Sequence, residues 1–340
     1  MSFIKLFLFL FFLNSTCEKN KDTVSTKIVQ HNIPPTKGRD YRADMRSFVI
    51  GLSKHAKALN PEFAIIPQNG IELVTKTGEP NGAPVKKYLA AIDGNGQENL
   101  FYGYKRDNVA TKKEVSDYYT ELLQVSKDAG NSIFVIDYCS SEQKIEDAYQ
   151  KNSSLDFIPF VATERDLNVI PPIPFNENKS IENKEVASLE DAESFLFMLN
   201  YEYYDTKDAL LQDIGDSNYD VVFLDMFFND GTQFSKRAIE QLKTKPDGGK
   251  RVVICYMSIG EAEDYRYYWN TDWKKNKPVW LDKENVHWKG NYKVRYWEKE
   301  WQNVIYGNKD AYLDKIISTG YDGVYLDIID AFEYFENYDE

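Results

Sequence analysis

The stretch Tyr321-Asp-Gly-Val-Tyr-Leu-Asp-Ile-Ile-Asp330 decides the fold. It is a short β-branched and aromatic run that begins at a glycine and ends in carboxylates. Such a run reads as a buried parallel strand, Gly323–Ile329, with polar side chains at its C-terminal end. Taking alternation literally, Tyr325, Asp327 and Ile329 share one face, and Val324, Leu326 and Ile328 the other. Seven further runs of this kind precede it: Phe63–Pro67, Tyr88–Ile92, Ile133–Tyr138, Phe157–Val161, Ser194–Asn200, Val221–Phe227 and Val252–Ser258. Periodic amphipathic stretches lie between most of them, at Arg46–Leu59, Lys112–Ala129, Ser141–Lys151, Asp205–Ile214, Gln233–Lys243 and Gln302–Ser318. Alternating strands and helices imply a parallel sheet with right-handed crossovers, and eight such units predict closure into a (β/α)8 TIM barrel. An open doubly wound sheet is the alternative, but the glycine-rich dinucleotide and phosphate-loop fingerprints are absent.

The length of 340 residues suits one such barrel, of typically ~250 residues, preceded by a leader. Hydrophobic residues make up 42%, enough for a large core, and aromatics reach 15%, a mild tilt toward sugar-binding surfaces. A net charge of −13 repels nucleic acid and anionic membranes, so nucleic-acid binding is discounted. Cys139 and Cys255 sit in apolar runs and read as small buried hydrophobes, so no disulfide framework is expected. The three histidines, His31, His55 and His287, are scattered, which argues against a metal hydrolase; neither a metal nor a cofactor is expected.

Residues 1–17 read as an export signal: Lys5, an apolar run from Leu6 to Leu13, then Asn14-Ser15-Thr16-Cys17. The apolar run is too short to span a bilayer. Cys17 resembles the lipidated cysteine of a bacterial lipoprotein, although Leu13 lies four residues before it and Thr16 is bulky for a cleavage site. Residues 18–40 are polar and read as a tether, and 41–340 as the barrel. The expected location is outside the cytoplasm, at the cell surface or in the periplasm, with the membrane met only through a lipid anchor.

Several strands end in acids: Asp137 beside Tyr138, Asp225, Glu261 and Glu263 after the seventh strand, and Asp327 and Asp330 after the eighth. Active sites of this fold lie at the C-terminal face of the barrel, and a ring of carboxylates there suits acid–base chemistry on a polymer. A lone strand-end Asp is more often a helix cap; the convergence of several carries the argument.

Two long motifs carry a family resemblance. Cys255-Tyr-Met-Ser-Ile-Gly-Glu-Ala-Glu-Asp-Tyr-Arg-Tyr-Tyr-Trp269 and Tyr321–Asp330 resemble the signature of glycoside hydrolase family 114, with Tyr292–Trp301 resembling the element that links them. The resemblance implies a (β/α)8 barrel that cleaves α-1,4-linked galactosamine polymers. The segments Ala64–Leu73, Ile92–Tyr102 and Val135–Tyr138 resemble the part that usually follows the Asp-Ile-Ile-Asp motif, yet here they precede it. This order reads as a circular permutation, which requires Phe63–Pro67 and Gly323–Ile329 to be neighbours.

Glycoside hydrolysis uses two carboxyl groups, one giving a proton and one acting as nucleophile or base. The candidates are Asp327, Glu263, Glu261 and Asp225. Asp327 leads, because an Asp inside an apolar strand is costly unless paired or used. Arg266, three residues after Glu263, fits an ionised partner. Asp137 and Asp330 are candidate subsite residues, and Tyr138, Tyr201, Tyr256, Trp269 and Trp297 are candidate stacking residues; core packing is at least as good a reading of each aromatic. Where the substrate carries free amines, surplus carboxylates serve as ion-pair partners. The competing reading is a non-catalytic carbohydrate-binding lipoprotein on the same barrel.

Overall fold

The computed structural model describes residues 38–171 and 185–337. The leader with Cys17, and residues 18–37 of the polar segment, lie outside the described residues. No helix among the described residues is long and apolar enough to cross a membrane.

The described body opens with helix Tyr41–Leu59, started by the Asp40 side chain, which accepts from the Ala43 amide. Met45, Phe48, Val49, Leu52 and Ala56 recur at helical spacing and are buried on one face. The strands follow as β1 (Ala64–Pro67), β2 (Gly94–Glu98), β3 (Ser132–Tyr138), β4 (Ile158–Ala162), β5 (Phe195–Met198), β6 (Val221–Leu224) and β7 (Val252–Ser258). Then come β8 (Glu261–Glu263), β9 (Leu281–Glu284), β10 (Asn291–Val294) and β11 (Gly323–Asp327). The fold is α/β. One parallel sheet has the order β1-β11-β7-β6-β5 and a second β2-β3-β4, while β8-β10-β9 forms a small antiparallel sheet after β7.

β1 and β11 pair in parallel, Ala64 opposite Gly323 through Pro67 opposite Leu326, so the neighbour relation required by the permuted order is met. The two parallel sheets meet at β1 and β2: Gln68 bridges Gly96, and the Asp93 amide donates to the Ile65 carbonyl at 2.9 Å. At the other side, Phe160 of β4 touches Phe195 of β5, with centroids 5.5 Å apart. The rings of Phe134 (β3), Phe195 (β5), Phe223 (β6) and Tyr325 (β11) form one edge-to-face cluster with centroid spacings of 4.8–5.3 Å. The inner faces of the two sheets therefore share one aromatic core.

Three expectations need correction. Tyr88–Ile92 is not a strand: Lys86–Leu89 is a short helix that buries Tyr88 and Leu89, and the strand is the glycine-rich Gly94–Glu98. The glycines are demanded by neighbours, since a Cβ on Gly96 would lie 1.9 Å from the Tyr325 hydroxyl and one on Gly94 2.8 Å from the Ser132 carbonyl. Gln302–Ser318 is two helices, Lys299–Ile305 and Tyr312–Thr319, broken around Gly307, which adopts φ 104°. The alternation expected through Ile329 stops at Asp327, because Ile328 adopts a left-handed φ of 57°.

The first and last described helices meet. Arg42 grips Glu336 with both prongs of its guanidinium at 2.9 and 3.1 Å, and Tyr41 stacks on Phe335 at 5.6 Å.

Candidate active site

The C-terminal ends of β11, β1 and β2 carry three consecutive departures from ordinary backbone: Ile328 (φ 57°), Asn69 (φ 57°) and Asn99 (φ 59°). A β-branched residue in this region is a genuine outlier, and such strain collects at functional sites. Each departure adjoins a polar side chain on the strand end, Asp327, Gln68 and Glu98.

Asp327 keeps part of its surface open. Its Oδ2 accepts from the Tyr256 hydroxyl at 2.5 Å and its Oδ1 from the Ile328 amide at 2.8 Å. The left-handed turn at Ile328 folds that amide back onto the carboxylate. Burial pushes the Asp327 carboxyl up to about 7, with Asp330 and Glu261 adding to the rise and the two hydrogen bonds opposing it.

Glu98, absent from the sequence-based candidates, stands on β2 two residues beyond Gly96, over which the Tyr325 hydroxyl packs. Residues two apart on a strand share a face, so Glu98 follows Gly96 and Asp327 follows Tyr325 onto the same inner surface. Two strand spacings separate β2 from β11, about 9.6 Å before the side chains converge. The Glu98 carboxyl receives the Tyr138 hydroxyl and, at 3.4 Å, the Asn69 amide. Burial pushes it up to about 7; the Asp327 charge raises it further, while Tyr138 and Arg165 pull it down. The only signal of Glu98 in the sequence was Gly-x-Gly-x-Glu after an apolar run, and the low strand propensity of glycine concealed it.

Asp225 and Glu263 are gathered elsewhere, around one arginine. Arg266 holds Asp225 with Nη1 and Nη2 at 2.7 and 2.6 Å, and Glu263 through Nε at 2.7 Å. The Tyr265 hydroxyl adds 2.6 Å to Glu263, and all three charged groups are buried. Glu261 is fully buried, held by Lys293 at 2.6 Å and Asn285 at 2.8 Å, while its Oε2 accepts no hydrogen bond from the described residues.

Asp330 follows Asp327 by three residues and precedes the helix Ala331–Glu336. Burial, then Glu333, raise it to about 8, and burial and Glu72 raise Glu333 to about 7. Asp137 is turned away from this group. It accepts from the Phe101 and Tyr102 amides and from Asn152 of the neighbouring helix at 2.7–2.9 Å.

Tyr138, Tyr201 and Tyr256 are buried and present hydroxyls rather than ring faces, to Glu98, to the Asp225 backbone and to Asp327. Trp269 lies between Tyr292 and Trp273 (4.9 and 5.3 Å), and Trp297 packs on Tyr41 and Phe335 under the Arg39 guanidinium. No His/Cys/Asp/Glu group among the described residues has the arrangement of a metal site.

Comparison with known proteins follows this geometry. The glycoside-hydrolase family GH114 matches residues 176–339, which contain Asp225, Glu261, Glu263, Arg266, Asp327 and Asp330 but not Glu98. The uncharacterized protein MJ1477 of Methanocaldococcus jannaschii is 46% identical over 139 residues, 40% of this chain and 38% of that protein. An uncharacterized protein of Thermotoga maritima is 39% identical over 131 residues, 38% of this chain and 39% of that protein. The chain thus spans well under half the length of these curated relatives. The match over residues 176–339 supports membership of glycoside-hydrolase family GH114.

Proposed function

We propose that this protein hydrolyses an α-1,4-linked, galactosamine-containing polysaccharide, with Asp327 and Glu98 as the two working carboxyls. The observation that carries the reading is their juxtaposition: two acids on one inner surface, each anchored by a tyrosine hydroxyl and each raised to about 7. The Asp327 charge raises Glu98, and since such coupling is reciprocal the two titrate as a pair that holds one proton near neutrality. The protonated carboxyl gives its proton to the leaving glycosidic oxygen. The ionised one faces the anomeric centre as nucleophile or base toward water. Asp225 and Glu263, both paired with Arg266, act in this reading as the frame of the wall, and Glu261 adds negative field beside Asp327. Asp330 and Glu333 offer acids to substrate amines, whose positive charge draws them toward the ionised form.

The proposal extends to the whole chain. The two parallel sheets are arcs of one closed eight-stranded barrel, opened at a different connection from the usual family order. The GH114 match starting at residue 176, the β1–β11 pairing and the Arg42–Glu336 contact support this. Residues 1–40 serve as an export signal and tether, with Cys17 lipidated, and place the enzyme where it meets extracellular polymer.

Reducing-end release from partly deacetylated α-1,4-galactosaminogalactan tests the reading. The protein without residues 1–37 should cleave, and Asp327→Asn and Glu98→Gln should each lose on the order of 10²–10⁴ in rate while remaining folded. A folded parent that binds the polymer without cleaving it would leave a carbohydrate-binding protein on the same fold.

A further inference from the structure

Beside the Asp225–Arg266 pair, at the ends of β5 and β6, lies a cavity of about 170 Å³. At roughly 30 Å³ per water this is the room of five or six waters, the size class of one pyranose ring. Its walls are of two kinds. Phe227 and Tyr267 stand with centroids 6.0 Å apart and planes inclined by 36°, and Tyr267 is 41% exposed, an unusual position for a large aromatic. The lining also carries polar groups. The Asn200 side-chain oxygen accepts from the Glu202 amide at 3.1 Å, while its nitrogen donates to no group among the described residues. The floor carries Asp225 and Arg266, and with Glu263 that buried triad has one more negative than positive charge.

Along the wall, β6 stands two strands from β11, about 9.6 Å. The cavity is therefore outside the space between Asp327 and Glu98 but within reach of a polymer lying across the strand ends. Resting on the hydrolase reading above, we propose that this cavity is a separate binding subsite for one amino-sugar ring of the substrate. Tyr267 packs against the ring face, Asn200 donates to a ring hydroxyl, and the net negative floor attracts the ammonium group. The Tyr267 hydroxyl is fixed by the Asp310 carbonyl at 2.9 Å, which holds the ring in place before any ligand arrives.

Binding of an α-1,4-linked galactosamine oligosaccharide by isothermal titration tests this, in the cleavage-silenced Asp327→Asn protein. Tyr267→Ala and Asn200→Ala, each added singly, should weaken binding on the order of five- to tenfold. Tyr267→Phe keeps the ring but loses its anchor on Asp310, and should bind between the parent and Tyr267→Ala. In the active protein, Tyr267→Ala should raise KM and leave kcat nearly unchanged. Unaltered affinity in both alanine variants, each verified as folded, overturns the subsite whether or not the parent cleaves. Affinity that depends on Tyr267 in a parent that never cleaves supports the subsite and overturns the hydrolase reading. A parent that does not bind the oligosaccharide overturns both.

Discussion

Ile328 tolerates a conformation that costs on the order of 1–3 kcal/mol, and its amide reaches the Asp327 carboxylate as a result. The neighbouring acids contribute a second form of stored energy. Asp330 is raised to about 8, above the ordinary carboxylate range, so the folded state binds more protons than the unfolded chain between roughly pH 4 and pH 8. Stability therefore falls as pH rises through that window. Asp330→Asn should raise the Tm at pH 8.5 and change it little at pH 4, as read by calorimetry at both pH values. On the proposed mechanism, the Asp327–Glu98 pair has a different pH signature. Cleavage should peak near neutrality, declining at lower pH as both carboxyls protonate and at higher pH as both ionise. Glu98→Gln should strip the neighbouring charge and shift the Asp327 titration downward, a change that carboxyl-resolved NMR would register without any substrate.

β2 shows most clearly what could and could not be read in advance. Apolar runs announced β1, β3–β7 and β11, because their side chains are buried on both faces. The segment Gly94-Asn-Gly-Gln-Glu98 has no such run; its shape comes from the Tyr325 and Phe134 rings of other strands, contacts invisible to local pattern. Glu98 is hidden for that reason, while Asp327, set in an apolar strand, stands out as a candidate. Arg266 was legible as a partner of Glu263 by its spacing, but its grip on Asp225, 41 residues away, was not. Gly96→Ala should force the Tyr325 ring aside, destabilise by about 1–3 kcal/mol in urea unfolding, and depress cleavage through both carboxyls. Arg266→Gln should cost about 3–5 kcal/mol, because it leaves Asp225 and Glu263 buried and unpaired.

At the scale of the molecule, the proposed function pairs a net charge of −13 and the acids around Asp327 with a cationic polymer. Affinity for a deacetylated polymer should fall as salt rises from 20 to about 300 mM, while that for a fully acetylated one should change little; equal salt response would remove the electrostatic part of the proposal. The contact between the first and last described helices has a mechanical meaning. Arg42 and Glu336 act as a latch, and Tyr41 against Phe335 as its hinge plate. A pull entering at Gly38 reaches this latch before it reaches any strand. The load is then shared with the β11 end of the sheet, next to Asp327, rather than concentrated on one helix. In a force-clamp experiment Glu336→Ala should let the Tyr41–Leu59 helix peel away at lower force, the latch being what resists a pull from that side.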